Sequence, residues 1–250
     1  MPVTIAVAGK GGTGKTTFAA LVIRYLVNSQ KGSVLAVDAD PNSNLNEALG
    51  VKVTASIADI LDDVKNPKAV PAGMTKDKFI EYKLFQALVE AEHFDLLVMG
   101  GPQGPGCYCY PNDLLRKQVE VLGNNYDFLI ADNEAGLEHI SRRTIPAVNH
   151  LFIISDSSVR GVRSAGRVYQ LVLNMEIKVE KIYLVITKTV ADSIEKLADE
   201  IKATGIELIG AVPLDPLVVE YDVSNKALFY LPAESSAVGA IEEILKKCGL

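Results

Sequence analysis

Near the start of the chain, glycines, lysines and threonines stand at a spacing that can bind the phosphates of a nucleotide. The stretch VTIAVAGKGGTGKTT, residues 3–17, contains the pattern G-x-x-x-x-G-K-[ST]. Glycines let backbone N–H groups wrap the phosphates, and the N-terminus of a following helix adds partial positive charge. We expect Lys15 to reach the phosphates and the Thr16 hydroxyl to hold Mg²⁺. The predicted nucleotide-binding residues of this loop are Gly9, Lys10, Gly11, Gly12, Thr13, Gly14, Lys15, Thr16 and Thr17.

Acidic residues follow two apolar runs and could complete the chemistry at the phosphates. Asp132 comes after the apolar residues 128–131, which is typical of a strand whose carboxylate holds Mg²⁺; alternatively, Asp132 caps the next helix. Asp40 is our candidate for positioning or deprotonating the attacking water. Asp38 is either an outer partner of the Mg²⁺ or a structural cap. The predicted catalytic residues are Lys10, Lys15 and Asp40, and the predicted Mg²⁺ ligands are Thr16, Asp40 and Asp132.

A second kind of chemistry is indicated by Cys107 and Cys109, which lie one residue apart in the glycine-rich stretch 100–111. Thiolates suit Ni²⁺, Zn²⁺ or Cu(I), whereas Mg²⁺ needs oxygen ligands. One pair supplies two of the four ligands of a closed tetrahedral site, and two copies across a two-fold axis would supply all four. The alternatives are two incidental loop cysteines or a strained local disulfide. Glu138 and His139 are either a further metal site or residues at the start of a helix, which orient the segment that approaches the γ-phosphate or cap the helix.

The elements that position these residues alternate between strand and helix. Apolar runs predict strands at residues 3–8, 34–37, 94–99, 126–131, 151–154, 182–186 and 208–212. Helical spacing of apolar residues predicts helices at 18–26, 112–122, 162–173 and 194–201, and several helices between 44 and 92. This alternation predicts an α/β fold, with a mostly parallel sheet and helices on both faces.

Length and charge limit the functional classes. The 250 residues suit a single P-loop domain spanning 1–250. A net charge of −6 argues against binding to nucleic acid through its phosphates. No apolar run reaches the ~20 residues that span a bilayer, and the phosphate loop begins too early to leave room for a signal peptide. We therefore expect a cytoplasmic protein.

The loop has a lysine in addition to Lys15, and this residue, Lys10, is typical of one known group of ATPases. The segment K-G-G-T-G-K-T-T, residues 10–17, resembles the deviant Walker A group of P-loop ATPases, such as MinD and ParA. The resemblance implies the SIMIBI-class fold, hydrolysis of ATP and water to ADP and phosphate, and a homodimer in which Lys10 touches the partner's phosphates. Relatives commonly carry Asn-Lys near the base, where this chain has Thr187-Lys188. The implied base contacts are Lys188 and, through its backbone, the later loop that contains Pro213, Leu214 and Asp215.

The cysteine pair and the stretch A-G-L-E-H, residues 135–139, resemble the CooC-type nickel-insertion ATPases. This resemblance implies a metallochaperone that hydrolyses ATP and binds Ni²⁺ through Cys107 and Cys109, with Zn²⁺ able to occupy the same site. The metal would lie at the interface of a dimer that depends on nucleotide, metal or both. The client would be a nickel enzyme, either carbon monoxide dehydrogenase or acetyl-CoA synthase.

Two alternatives belong to the same superfamily. A MinD/ParA-like spatial organiser would bind membrane or DNA. Membrane docking through the C-terminal helix would need more basic or aromatic residues than this helix has, so we expect no membrane partner. Its apolar face consists of Val238, Ile241, Ile244 and Leu245. An Mrp-like iron–sulfur carrier would use C-x-x-C, whereas this chain has C-x-C.

Overall fold

A computed structural model describes residues 2–65, 70–101, 109–133, 147–174 and 178–250. The strands are β1 Val3–Gly9, β2 Val34–Asp38, β3 Val89–Glu90, β4 Asp95–Val98, β5 Phe128–Asp132, β6 Ala147–Asp156, β7 Lys178–Thr189 and β8 Glu207–Pro213. The α-helices are α1 Lys15–Asn28, α2 Leu45–Leu49, α3 Ile57–Lys65, α4 Lys76–Gln86, α5 Cys109–Leu122, α6 Val159–Leu173, α7 Ser193–Lys196, α8 Ala198–Thr204, α9 Pro216–Val223 and α10 Ser236–Lys247. Two short 3₁₀ helices span Gly123–Asn125 and Leu228–Tyr230.

The described strands form one sheet in the order β3-β4-β2-β5-β1-β6-β7-β8. Every neighbouring pair is parallel except β3 and β4, which are antiparallel. The predicted mostly parallel α/β sheet is therefore confirmed. The β3 strand was not predicted, because a strand of two residues is too short to show a periodic pattern.

Strand β1 lies inside the sheet and carries the phosphate loop at its carboxyl end. Ile5 is paired with Ile130 of β5 on one side and with His150 of β6 on the other. Alternate residues of the strand face opposite apolar layers: Val7 lies in the layer that contains α1, α2 and α10, and Ala6 lies in the layer that contains α3, α5, α6 and α8. Burial on both faces explains why the strand reads as a continuous apolar run.

The apolar face of the C-terminal helix α10 is part of the core. Val238, Ile241, Ile244 and Leu245 are each at most 4% exposed, and the helix packs against β8 and α1. This face contacts protein and is not presented to solvent. Within the described residues, the helices are all too short or too polar to cross a bilayer.

Candidate functional site

The loop between β1 and α1 needs glycine for two different reasons. Gly9 ends β1 with φ at 149°, and a Cβ atom there would lie only 2.3 Å from the carbonyl oxygen of Ile154 on β6. Gly14 caps the N-terminus of α1 in the left-handed conformation, with φ at 86°. A side chain is excluded by contact at Gly9 and is strained by the backbone at Gly14. The turn therefore brings the N-terminus of α1 directly to the end of β1.

The hydroxyl of Thr16 and the carboxylate of Asp132 meet at this point. Thr16 Oγ1 donates a hydrogen bond to Asp132 Oδ2 at 2.6 Å, although the residues are 116 positions apart. Asp132 Oδ1 is buried and has no hydrogen-bond partner among the described residues. Burial raises the pKa of Asp132 to about 6, against the opposing effects of the Thr16 hydrogen bond and the Lys15 charge. A hydroxyl and a carboxylate with an unused oxygen fit Mg²⁺, which prefers a few protein oxygens together with water and phosphate.

Asp38 lies beside Asp132, but its carboxylate accepts hydrogen bonds from backbone N–H groups. The two residues are register partners on β2 and β5. Asp38 accepts hydrogen bonds from the N–H groups of Asp40 at 3.1 Å and Leu45 at 3.0 Å. Burial, followed by the nearby Asp132 charge, raises the pKa of Asp38 to about 7. Its contacts are those of a structural cap, one of the two roles that the sequence left open.

Asp40 turns the chain after β2 and faces the phosphate loop. Its carboxylate accepts from the Asn42 N–H at 2.9 Å, and its carbonyl oxygen accepts from the Ser43 hydroxyl at 3.0 Å. The residue is partly exposed and lines the same cavity as Lys15 and Thr16. A carboxylate in this position can orient a water molecule near a bound γ-phosphate.

A cavity of about 610 Å³ runs from the phosphate loop to the ends of β7 and β8. Its volume lies within the range that small ligands occupy. One end contains the phosphate-loop residues, and the other is mostly apolar, with Leu214, Val218, Val219 and Ile241 in its wall. Pro213 and Asp215 also line this second end. The cavity thus joins a polar end suited to phosphates to an apolar end suited to a planar base.

The end of β7 contacts the phosphate loop through two consecutive side chains. Thr187 Oγ1 donates to the carbonyl oxygen of Thr13 at 2.6 Å and lies 3.1 Å from that of Ser155. Lys188 Nζ donates to the carbonyl oxygen of Gly12 at 2.8 Å. Lys188 also has a positive φ of 54°, which is uncommon outside glycine.

The carboxylate of Asp215 is engaged in holding two helices. One oxygen accepts from the Leu217 N–H at 2.8 Å, and the other accepts from the Ser235 hydroxyl at 2.6 Å and the Ala237 N–H at 3.0 Å. Burial acts to raise the pKa of Asp215, but the hydrogen bonds outweigh it and hold the pKa below its usual value. The side chain of Asp215 therefore joins the starts of α9 and α10, whereas the predicted base contact was made by the backbone of this loop and stays a prediction.

With this geometry established, the chain can be compared with known proteins. A family model described as the CobQ/CobB/MinD/ParA nucleotide binding domain matches residues 4–229. The chain belongs to this family. Its membership confirms the predicted relation to MinD and ParA and identifies the loop as part of a nucleotide-binding domain.

Individual members of the CobQ/CobB/MinD/ParA family cover nearly the whole chain. An uncharacterized ATP-binding protein of Methanocaldococcus jannaschii is 42% identical over 246 residues, which are 97% of each chain. The carbon monoxide dehydrogenase accessory protein CooC of Rhodospirillum rubrum is 28% identical over 246 residues, covering 91% of this chain and 89% of that protein. The crystal structure of a ParA family ATPase from Chlorobium tepidum has a TM-score of 0.75 at 20% identity and covers 100% of both chains, which supports the shared fold.

One buried residue of this family domain was not singled out from the sequence. Asn133 follows Asp132 and donates through Nδ2 to the carbonyl oxygens of Val7 at 2.9 Å and Ala131 at 3.3 Å. Its Oδ1, like Asp132 Oδ1, is buried and accepts no hydrogen bond from the part of the chain that the structure describes. The only sequence signal is its place directly after the predicted Mg²⁺ ligand. Asn133 ties the end of β5 to β1 and leaves an acceptor next to Asp132, the predicted Mg²⁺ ligand.

The cysteine pair lies largely outside the described residues. Cys107 and the stretch 135–139, which includes Glu138 and His139, fall in ranges that the structure does not describe, and Cys109 is the first residue of α5. In the part of the chain that is described, His, Cys, Asp and Glu side chains form no group of three or more that could hold a metal ion.

The Asp215→Asn substitution is expected to destabilise the protein by about 1–3 kcal/mol without weakening ATP binding by the folded molecule. An amide cannot accept all three hydrogen bonds, and its NH₂ group would face a backbone N–H. Urea unfolding and ATP titration measure the two quantities. Asp222→Asn is the control, because Asp222 lines the same cavity but is exposed. A variant of unchanged stability with weakened ATP binding would show instead that Asp215 contacts the nucleotide.

Proposed function

We propose that this protein is an ATP-hydrolysing metallochaperone that binds Ni²⁺ through Cys107 and Cys109 and delivers it to carbon monoxide dehydrogenase or acetyl-CoA synthase. The observation that carries the proposal is the C-x-C pair in a chain that is 28% identical to a carbon monoxide dehydrogenase accessory protein. The soft thiolates would select the cargo metal, whereas Mg²⁺ would bind the oxygen ligands at the phosphate loop. Zn²⁺ can occupy the same thiolate site.

The nucleotide half of the proposal rests on the residues around the loop. Lys15 is buried at the start of α1, where its charge would balance the phosphates of ATP. Thr16 and Asp132 would hold Mg²⁺, whose charge stabilises the phosphates as the terminal bond breaks. Asp40 would orient the attacking water toward the γ-phosphate. Gly14 leads into the helix N-terminus, whose free N–H groups favour an anion.

A homodimer would connect the two halves of the function. Lys10 is exposed, and its side chain makes no hydrogen bond or ion pair with any described residue. It is therefore available to a second molecule bound across the loop, where it would neutralise charge in the transition state. Two copies of the C-x-C pair would supply four thiolates, which is the number in a closed tetrahedral site. ATP binding would then assemble the metal site, and hydrolysis would release the metal.

The burial of α10 weighs against the spatial-organiser alternative. A helix that docks on a membrane presents its apolar face to lipid, whereas Ile241, Ile244 and Leu245 lie in the protein core. The net charge of −6 also opposes the DNA-binding version of that function. An iron–sulfur carrier is disfavoured by the C-x-C spacing.

Substitution of Cys107→Ser together with Cys109→Ser is expected to remove tight Ni²⁺ binding and leave ATP binding intact. A serine hydroxyl is a harder and far less acidic ligand than a thiol, so it does not replace a thiolate for Ni²⁺. Isothermal titration with Ni²⁺ and with Zn²⁺, with and without ATP, measures affinity and stoichiometry, and light scattering measures the mass. We expect one metal per two chains in the unsubstituted protein.

Cys248→Ala is the matched control, because Cys248 is a buried cysteine of α10's C-terminal end and is not part of the pair. It should keep the Ni²⁺ affinity of the unsubstituted protein. Retained Ni²⁺ affinity in the double variant would contradict the metal assignment. A stoichiometry of one metal per chain in both the presence and absence of ATP would contradict the shared site.

A further inference from the structure

The phosphate loop is fixed from one side by the carboxyl end of β7. Thr187 Oγ1 lies 2.6 Å from the carbonyl oxygen of Thr13, and Lys188 Nζ lies 2.8 Å from that of Gly12. Two neighbouring side chains of one strand therefore hold two neighbouring carbonyl groups of the loop. A Cβ atom on Gly14 would lie 3.8 Å from the Thr187 hydroxyl, so strand and loop are in direct contact.

The hydroxyl of Thr187 has one proton, and the loop is its nearest acceptor. The Thr13 carbonyl oxygen is closer, at 2.6 Å, than the Ser155 carbonyl oxygen, at 3.1 Å. Thr187 is buried, with 6% of its surface exposed. A proton that is committed to a buried carbonyl is not available to a base. The only hydrogen-bond donor of this side chain is therefore used by the phosphate loop.

Holding the Thr13 carbonyl also orients a donor. The carbonyl of Thr13 and the N–H of Gly14 belong to one planar trans peptide and point in opposite directions. Because the carbonyl points to Thr187, the Gly14 N–H points away from β7. The structure records no hydrogen-bond partner for this N–H among the described residues. Gly11, Gly12 and Gly14 line the cavity, so the tether affects the part of the loop that would receive phosphate.

We infer that Thr187 is a positioning residue for phosphate binding and not a base-reading residue. This inference rests on the nucleotide site of the proposed function and assigns a role to a side chain within it. Thr187 holds the Thr13–Gly14 peptide in the orientation that presents its N–H to an anion. The base is contacted by other groups at the apolar end of the cavity.

The test compares a nucleotide with a ligand that has no base. Thr187→Val keeps the shape of the side chain and removes the hydroxyl. It should weaken binding of Mg²⁺–ATP and of Mg²⁺–inorganic triphosphate by the same factor, about tenfold. Both affinities are measured by competition with a fluorescent ATP analogue. Thr187→Ser retains the hydroxyl and should restore both affinities, whereas a purely steric role would not be restored by serine.

Thr189→Val is the matched control on the same strand. Thr189 Oγ1 donates to the carbonyl oxygen of Val212 at 3.3 Å, which is not part of the phosphate loop. Loss of the Thr189 hydroxyl should leave triphosphate binding unchanged. Thermal melting of each variant verifies the fold.

Three outcomes would overturn the inference: unchanged affinities in Thr187→Val, a loss for ATP with triphosphate binding unchanged, or no rescue by Thr187→Ser. The second outcome would mean that Thr187 reads the base or sugar. Failure of the unsubstituted protein to bind ATP at all would instead contradict the proposed function. The two failures are therefore distinguished by the behaviour of the unsubstituted chain.

Discussion

Lys10→Ala is expected to lower kcat for ATP hydrolysis by about 10²–10³-fold and to leave ATP affinity within a few-fold of the unsubstituted protein. The loop itself does not need this side chain. The backbone carbonyl of Lys10 accepts from the Thr13 hydroxyl at 2.8 Å, and an alanine keeps that carbonyl. The exposed ammonium group would act only when a partner's phosphates are opposite it. Steady-state phosphate release and equilibrium ATP binding measure the two effects separately.

Mixing two inactive variants tests whether Lys10 acts across the dimer. Lys10→Ala retains an intact nucleotide site, and Lys15→Ala retains a free Lys10. In a mixed dimer, the first variant's site receives Lys10 from the second variant, so part of the activity should return. Lys52→Ala, in another exposed lysine, is the control for a general effect of charge. A mixture that stays inactive, with dimers shown to form, would contradict action in trans, and unchanged turnover in Lys10→Ala would remove the role altogether.

Asp132→Asn is expected to lower the rate of Mg²⁺-dependent ATP hydrolysis by at least about a hundredfold. The same substitution is expected to stabilise the nucleotide-free protein. The asparagine oxygen can still accept the Thr16 hydrogen bond, and its NH₂ group replaces an oxygen that has no partner within residues 2–65, 70–101, 109–133, 147–174 and 178–250. It removes a buried negative charge beside Asp38. The gain in the free energy of unfolding should be on the order of 2–3 kcal/mol at pH 8, because burial raises the pKa of Asp132 from its ordinary value near 3.8 to about 6.

The pH dependence of this gain follows from the sign of the shift. Between pH 4 and 6 the folded protein holds a proton on Asp132 that the unfolded chain has lost, so the unsubstituted protein loses stability as the pH rises through this range. The advantage of Asp132→Asn should therefore shrink as the pH falls from 8 to 4. Chemical unfolding at each pH measures it. Asp199→Asn, which replaces an exposed carboxylate of α8, is the control, and its stability advantage should not shrink in this way as the pH falls. A constant difference between Asp132→Asn and the unsubstituted protein would contradict the raised pKa.

The main features of the fold and the phosphate site were predictable from local sequence. Apolar runs of four or more residues located the long strands, because strands buried on both faces carry continuous apolar sequence. The meeting of Thr16 with Asp132 was also predictable, since the carboxyl ends of parallel strands converge at one edge of the sheet. A motif that contains its own flanking strand and helix carries most of its geometry with it.

Features that depend on distant side-chain contacts were not predictable. The sequence indicates no partner for the Asp215 carboxylate, yet one of its oxygens accepts hydrogen bonds from Ser235 and Ala237, which lie about twenty positions later. The hydroxyl of Thr187 could have faced a base, and only the fold shows that it faces Thr13. The apolar period of α10 is the same for a helix on a membrane and a helix on a core, so only the packing against β8 and α1 distinguishes the two.

The position of β1 has a consequence for synthesis on the ribosome. This strand emerges long before its neighbours in the sheet, β5 and β6, which begin at residues 128 and 147. The hydrogen bond from Thr187 to the loop joins residues that are 174 positions apart, so it forms later still. A nascent chain therefore carries the phosphate-binding segment without its neighbouring strands until β5 and β6 have been synthesised. Nucleotide binding that depends on the Thr187–Thr13 hydrogen bond can stabilise the fold only after residue 187 has left the exit tunnel.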